Sequence, residues 1–382
     1  MIPAPTVAAR LLHWFDQHGR KDLPWQSGDG HGRDAYRVWL SEIMLQQTQV
    51  ATVIGYFERF VAALPSLRDL AAADEDTVLA LWSGLGYYRR ARFLHRAARI
   101  CVEQHGGELP RDFAALSALP GIGRSTAGAI LAQAHGLRFA ILDGNVKRVL
   151  TRYHGIHGHP GQGAVEKQLW QHAESHTPAT RLADYTQAIM DLGATLCVRS
   201  RPRCDACPLA SDCVAHRDKL TAQLPSRKPA KILPTRATVM VLLRDREGRV
   251  LLERRGPQGV WSGLWSLPEA TGTDDAWRLA QRHASIDDAR ALAAFTHVFS
   301  HYRLSIEPLL FDRATAHAAV ADNPDLRWCS ATDVAALGLP APVRALLQNG
   351  VDAHHAHEAL DADQSANPSR HRKMAQSFQE TP

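Results

Sequence analysis

The sequence predicts two domains of different class, an all-α domain followed by an α+β domain. Three features of the chain point there. From residue 7 to about 220, apolar residues recur at a helical period without strand-like alternation. The segment "LPSRKPAKILPTRA" (224–237) then gathers three prolines and four basic residues, the composition of a linker. Beyond it the period changes to two, and "ATVMVLLRDREGRVLLERR" reads as two β-rich runs around an Arg-Glu-Gly turn, a hairpin.

A chain of 382 residues with 45% hydrophobic content can bury two cores. Its charge is uneven: residues 1–231 hold 28 Lys+Arg against 21 Asp+Glu, whereas residues 232–382 hold 16 against 18. A basic first part favours an acidic polymer as partner, although a charge this moderate equally suits a solvated surface. No apolar run approaches the ~18 residues of a membrane span. The N-terminus, interrupted by Arg10, His13 and Asp16, does not read as a signal peptide. A soluble intracellular protein is therefore expected, with its six cysteines reduced or metal-bound rather than paired.

Each helical element has its own signal. "AYRVWLSEIMLQQTQVATVIGYFERFVAAL" places Val38, Ile43, Leu45, Val50, Val53 and Phe57 at roughly helical spacing. "EDTVLALWSGLG" and "YYRRARFLHRAARICVEQHGG" both run into glycines, which are helix stops. "LPGIGRSTAGAI" (119–130) is a two-glycine turn followed by helix formers, and the amides at such a helix start suit a phosphate. "VEKQLWQHAESHT" and "LADYTQAIMDLGATLC" are further helices. In the second domain, "FTHVFSHYRLSIEPLLF" reads as a strand pair or one long strand, with helices near 274–284 and 341–348. From about 351 the chain is polar and His-rich and reads as a disordered tail.

"CVRSRPRCDACPLASDC" places Cys197, Cys204, Cys207 and Cys213 within seventeen residues. Zinc usually takes two C-x2-C knuckles and only one is present. Spacings of six, two and five fit a single loop wrapped around an iron–sulfur cube. Arg199, Arg201 and Arg203 in the same loop suit either phosphates or a solvated basic surface. Cys101 and Cys329 stand apart and read as core residues.

The hairpin "LPGIGRSTAGAI", then "ILDGNVKRVLTR", then a four-cysteine loop resembles the helix-hairpin-helix DNA glycosylases with an iron–sulfur cluster. Within them, "VWLSEIMLQQTQV", "GLGYYRRARFLHRAA", "LDGNVKRV" and a later "FSH" resemble the MutY-type adenine DNA glycosylases, over roughly residues 8–345. The resemblance implies a multidomain chain: an all-α helix-hairpin-helix glycosylase domain with its iron–sulfur cluster loop over 1–223, a linker over 224–235, an α+β Nudix-like domain over 236–350, and a tail over 351–382. The first domain would comprise a six-helix barrel (about 28–140) and a cluster subdomain built from the N-terminal helix and about 141–223, with the active site between them. The implied activity is monofunctional removal of adenine mispaired with 8-oxoguanine or guanine in double-stranded DNA. No oligomer signal is visible in the sequence, so a monomer is expected, cytoplasmic and nucleoid-associated. One 4Fe–4S cluster on Cys197, Cys204, Cys207 and Cys213 would be structural and DNA-associated.

Cleaving an N-glycosidic bond expels a poor leaving group and makes the sugar cationic, so it calls for an acid at the base and a carboxylate near the sugar. By resemblance Glu42 protonates adenine N7, and burial in its otherwise apolar helix would keep it protonated. Pattern alone favours an exposed Glu on a polar face. Asp143 would stabilise the oxocarbenium ion, with a transient covalent link to the sugar as one form of that role. It also reads as an N-cap, whose hydrogen bonds would lower its pKa and hold it ionised. Asn145 matches the family position that orients this chemistry. Gln47 and Tyr87 would wedge into the duplex, with Thr48 close to the partner base; taken blandly, Gln47 is a solvated helix residue and Tyr87 a cap aromatic. Gly121, Ile122 and Gly123 would offer amides to a phosphate, with Ser125 and Lys147 also at the DNA.

Bifunctional relatives carry a lysine where Ser125 stands; serine forms no imine, so strand cleavage is not expected. Some close relatives have a tyrosine there. Phe299, Ser300 and His301 would meet 8-oxoguanine, with Gly263 in a DNA-facing turn. The helix "TDDAWRLAQRHASI" lacks the Arg-Glu-x-x-Glu-Glu motif of a Nudix hydrolase, so that domain is expected to bind and not hydrolyse. An endonuclease III-like enzyme is the nearest alternative, disfavoured by Ser125 and by the second domain. A non-catalytic iron–sulfur DNA-binding protein would leave Glu42, Asp143 and Asn145 without work.

Overall fold

The computed structural model describes residues 6–27, 33–228, 232–320 and 322–348. The chain divides into two compact units, residues 1–231 and 232–382. The tail expected over 351–382 lies outside the described residues.

The first unit is helical: α1 (Val7–His18), α2 (Ala35–Leu45), α3 (Val50–Ala63), α4 (Leu67–Ala72), α5 (Glu75–Leu81), α6 (Arg89–Gln104), α7 (Phe113–Ala118), α8 (Arg124–His135), α9 (Gly144–His154), α10 (Gly163–His176), α11 (Leu182–Asp191) and α12 (Val214–Arg217). Side chains set many of the starts. Thr6, Asp34, Ser66, Asp74, Asp112 and Asp143 each accept backbone amides of their helix's first turn. Left-handed Gly136 and Gly155 end α8 and α9.

The helical periodicity of residues 35–64 does not make one helix. The chain reverses between α2 and α3 at Gln47, whose φ of 61° is left-handed. Periodicity survives such a break because both pieces bury the same side, so sequence spacing does not reveal it. One core joins Trp39, Phe57, Phe60 and Trp82, all fully buried, with Phe60 edge-on to Trp82 at 6.1 Å. A second joins α1, α9, α10 and α11 through Leu11, Phe15, Val149, Leu169 and Ile189. Two glycines permit close approaches. A Cβ at Gly128 would meet the Ala140 carbonyl at 2.6 Å, and one at Gly193 would meet Asn145 Cβ at 2.6 Å. Leu224, where the linker was expected to begin, is buried in this unit, and its carbonyl accepts from Arg152 Nε at 2.9 Å.

The second unit contains β1 (Thr235–Asp245), β2 (Val250–Arg254), β3 (Trp265–Ser266), β4 (Glu269–Ala270), α13 (Thr273–His283), β5 (Ala284–Ser285), β6 (Arg290–Ala291), β7 (Phe295–Val298), β8 (Arg303–Ala316), β9 (Leu326–Cys329), α14 (Ala331–Ala336) and α15 (Ala341–Gln348). β1 and β2 form the expected antiparallel pair, with Gly248 at φ 80° in the turn between them. β7 and β8 are the two strands expected across "FTHVFSHYRLSIEPLLF", antiparallel with Phe295 opposite Ile306. The long β1 and β8 run parallel, from Thr235 opposite Arg303 onward. Alternate β1 residues serve two cores. Met240 and Leu242 face one with Leu339 and Val343, while Val239, Val241 and Leu243 face the other with Ala276 and Ala280 of α13. Burial on both faces is what a parallel pair requires. Among the described residues no helix is long and apolar enough to cross a membrane.

Candidate active site

α2 presents Glu42 inward, where its Oε1 accepts from Gln133 Nε2 at 2.9 Å. Arg33 Nη1 donates to Gln133 Oε1 at 2.6 Å. Burial pushes the Glu42 carboxyl up to about 7, the Asp143 charge adds to the rise, and the Gln133 hydrogen bond and Arg33 charge oppose it. The exposed alternative for Glu42 is not what the fold makes.

Asp143 caps α9, Oδ1 accepting from the Val146 amide at 2.7 Å and Oδ2 from Asn145 Nδ2 at 3.3 Å. The expectation that these bonds leave its pKa lowered is corrected. Burial dominates and raises it, against the amides and the Arg148 charge. Two half-buried carboxyls that feel each other favour states in which one of them holds a proton. Ser125 Oγ accepts the Leu142 amide at 2.9 Å, fixing the backbone directly before Asp143.

Asn145 continues the chain of contacts. Its Oδ1 accepts from Arg148 Nη2 at 2.8 Å, and that guanidinium also donates to the carbonyls of Gly193 and Cys197 at 2.7 Å each. The carboxylate end of α9 is thereby tied to the first residue of the cysteine loop. Arg152 organises that loop: it donates to the carbonyls of Val198, Arg199, Thr221 and Leu224, and Nη1 lies 3.4 Å from Cys197 Sγ. Cys197, Cys204, Cys207 and Cys213 line one cavity with Val149, Leu192 and Leu196. Burial raises the Cys204 and Cys213 thiols and takes Cys207 up to about 11, so their thiolates need a cationic centre. Among the described residues the group whose ligand atoms crowd closely enough for a single metal ion is a histidine trio, not this quartet. A ring of four thiols spaced around a cavity suits a multi-iron cluster better than one tetrahedral zinc.

Other residues of the first unit are those expected at DNA. Gln47 and Tyr87 are both exposed and both left-handed, at φ 61° and 48°. Neither is the helix-surface residue or the buried cap aromatic that its local sequence suggests; Tyr87 is 53% exposed. Their loops are joined by a buried side chain the sequence did not single out. Arg90 Nη1 donates to the carbonyls of Ile43 (2.9 Å), Met44 (2.8 Å) and Gln46 (2.5 Å), while Nη2 reaches Thr48 Oγ1 (3.2 Å) and the Gly86 carbonyl (3.2 Å). Burial lowers the Arg90 pKa to about 10 without neutralising it near pH 7. In the hairpin, Ile122 departs from expectation: it is buried, and its amide donates to the Leu119 carbonyl at 3.1 Å. The amides of Gly121 and Gly123 have no acceptor among the described contacts, and both glycines are exposed. Lys147 pairs with Glu166 at 2.6 Å, so its charge is already engaged.

In the second unit Phe299 is half-buried in an aromatic group, 5.1 Å from Trp261, 4.7 Å from His297 and 4.7 Å from Tyr302 between ring centroids. Ser300 and His301 are exposed at the β7–β8 turn rather than alternating along a strand, with Ser300 Oγ 3.4 Å from His301 Nδ1. Gly263 is left-handed at φ 77° and donates to the Arg255 carbonyl. Gln133, Arg33, Arg90, Arg148 and Arg152 are the polar side chains that sequence reasoning missed. Gln133 and Arg152 carry a local signal, an amide or basic residue inside an apolar helical run, as in "ILAQAH" and "VLTRYH", whereas Arg33 lies before α2 in a polar stretch that gives none.

Glu42, held by Gln133 of α8, and Asp143, which follows the amide held by Ser125 and is tied to the four-cysteine loop through Asn145 and Arg148, form the arrangement that the resemblance to base-excision glycosylases implies. Comparison agrees: the family described as HhH-GPD superfamily base excision DNA repair protein matches residues 40–175, and the NUDIX domain family matches residues 239–349. The chain is 37% identical over 341 residues to the adenine DNA glycosylase of Buchnera aphidicola subsp. Acyrthosiphon pisum, covering 89% of this chain and 96% of that protein. It is 35% identical to the adenine DNA glycosylase of Mus musculus, covering 84% of this chain and 73% of that protein. A solved thermostable thymine-DNA glycosylase is 28% identical, covers 55% of this chain and 95% of its own, and superposes with a TM-score of 0.49. The chain belongs to the adenine DNA glycosylase family. It is a DNA glycosylase enzyme of base excision repair.

Proposed function

We propose that the enzyme hydrolyses the N-glycosidic bond of adenine mispaired with 8-oxoguanine or guanine in double-stranded DNA. The observation that carries this is the half-buried carboxyls Glu42 and Asp143, with Glu42 raised to about 7 by burial first and by Asp143 second. Glu42, raised to about 7, keeps part of its proton near neutral pH, and depurination needs that proton at the base and a negative charge at the sugar. Adenine leaves the stack for the pocket. Protonated Glu42 gives its proton to adenine N7, so the base departs neutral. The electron deficit left at the sugar is met by ionised Asp143, aligned by Asn145 and the Val146 amide. Water then adds to the sugar carbon, and its proton passes to the carboxyl pair.

Ser125 holds the Leu142 amide and offers no amine, which supports base removal without imine formation or strand cleavage. Gly121, Gly123 and the first turn of α8 take a backbone phosphate. Ser125 and Lys147 flank the DNA from behind that turn, while Gln47 and Tyr87 wedge into the duplex with Thr48 at the partner base. Cys197, Cys204, Cys207 and Cys213 hold one 4Fe–4S cluster, which fixes the loop that Arg148 and Arg152 grip and takes no part in bond cleavage. Phe299, Ser300 and His301, with Gly263, read the 8-oxoguanine. The protein works as an intracellular monomer at the nucleoid.

An end-labelled duplex with adenine opposite 8-oxoguanine tests this. After incubation with excess enzyme, one aliquot receives hot alkali and one does not. Cleavage at the adenine only after alkali is expected. Cleavage without alkali would overturn the role of Ser125, and no cleavage despite tight binding would establish the non-catalytic alternative.

A further inference from the structure

His154, His172 and His176 form a cluster that the glycosylase chemistry does not use. His172 and His176 lie one turn apart on α10, which puts them on one helix face, and His154 is the last residue of α9. His154 Nε2 and His176 Nε2 are 2.9 Å apart. The His154 ring stacks on His172 with centroids 3.6 Å apart. One nitrogen from each of the three falls within 4.8 Å of the others, and all three residues are half-buried. Tyr153 closes one side, its ring edge-on to His154 at 4.9 Å and to His176 at 5.9 Å.

We propose that these three imidazoles bind one late first-row divalent cation, zinc foremost, with water as its fourth ligand. The ligand set is the one such ions favour. Zinc–nitrogen bonds of about 2.0–2.1 Å place tetrahedral nitrogens about 3.4 Å apart. The His154 and His176 nitrogens, 2.9 Å apart across a direct hydrogen bond, would open by about 0.5 Å to reach that spacing, and His172 reaches it by turning its ring out of the stack. The rings are ready as neutral donors. Burial depresses all three, His154 to about 4, and the neighbouring imidazoles add to the fall at His154 and His176. The three rings are the whole of the group among the described residues, so the protein would supply nitrogen donors alone.

The site would act as a clip. α9 starts at Asp143 and ends at His154, while α10 also carries Glu166, paired with Lys147, and Trp170 and Glu174, both engaged by Arg124 of the hairpin. A cation at the far end would fasten α10 to α9 and so steady both the hairpin and the helix that Asp143 caps.

The test uses the full-length, iron-loaded protein without an affinity tag, in metal-scrubbed buffer. Equilibrium dialysis against zinc chloride at pH 7.5, with zinc and iron counted by mass spectrometry, compares the wild type with H172A/H176A and H154Q. The wild type should bind one zinc more than either variant at equal iron content. Zinc should raise its Tm by about 5 °C and leave theirs unmoved. Zinc taken by the histidines of the tail would be common to all three proteins and cancels. Equal stoichiometry, or an equal Tm shift in the variants, overturns the proposal. Should the variants not fold, crystals of the wild type grown with one equivalent of zinc decide: an anomalous peak at the zinc edge between the three rings is expected, and none there refutes the site.

Discussion

The helical unit and the sheet unit bury very different things. The first hides Arg90, Arg152, Gln133, Gln187 and Asp191 almost completely, whereas the described core of the second holds little beyond Thr238, Asp245 and Ser266. Several of these buried polar chains fasten irregular backbone or a carboxyl. Arg90 joins the Gln47 and Tyr87 loops, Arg152 shapes the cysteine loop, Gln133 holds Glu42, and Asp191 accepts from the Arg20 amide and guanidinium and from Gln187. The sheet unit uses apolar packing on both faces of β1 and presents Ser300 and His301 at its surface. Under the proposed function the difference has a reason: reaction chemistry needs groups held against their solvation preference, and a surface that reads a base does not.

That contrast is most exposed at Asp143. Asp143→Asn should keep duplex binding, measured by gel shift, and lower single-turnover adenine release by at least about 10³-fold, the scale of losing a major charge-stabilising group. Retained activity would mean that the carboxyl pair is not the reaction centre.

The clamps come next. Arg90→Ala would remove the guanidinium donor from the carbonyls of Ile43, Met44 and Gln46, leaving Met44 without a partner among the described contacts, and should cost about 3 kcal/mol of stability in denaturant unfolding, at about 1 kcal/mol or more for each bond lost. Its counterpart in the sheet unit is Ser266→Ala. The Ser266 hydroxyl is fully buried and has no hydrogen-bond partner, so its removal should be neutral or stabilising by up to about 1 kcal/mol. Similar costs at the two sites would erase the distinction between the units.

Glu42 links stability to pH. Its folded pKa, about 7, lies above the ordinary carboxyl value of 4.5, so between those values the folded state binds the extra proton. Stability should therefore fall as pH rises through that window. Glu42→Gln should relieve the cost, stabilising by about 1–3 kcal/mol at pH 8 and not at all below pH ~4.5. In the wild type, base release should decline about tenfold per pH unit above about 7, as the proton donor is lost. A flat rate from pH 6 to 9 would remove Glu42 from the acid role.

The smallest effect belongs to the sheet unit. Phe299→Ala should cut the preference for 8-oxoguanine over guanine as partner by about tenfold, on the scale of one lost base-stacking contact, and leave adenine release from an A:G duplex unchanged. A fall in both rates alike would show that Phe299 serves folding and not recognition.

Sequence by itself determined the change from helical to two-residue period, the glycine hairpin, the cysteine spacing and the family, because each is written in neighbouring residues. It also marked Asp143 as a cap and Glu42 as a carboxyl in an apolar helix. Tertiary structure decided the rest. It broke the 35–64 helix at Gln47, turned the Ile122 amide inward, paired Lys147 with Glu166, and raised Asp143 where its cap bonds alone would have lowered it. Arg90 and Arg152 gained their roles only when backbone far along the chain closed around them, Arg152 donating to Leu224 seventy-two residues away. Local pattern reports what a residue can do with its neighbours in sequence. Burial and the partners of a charge depend on which distant segments pack around it, and those terms set both the pKa of a carboxyl and the cost of removing an arginine.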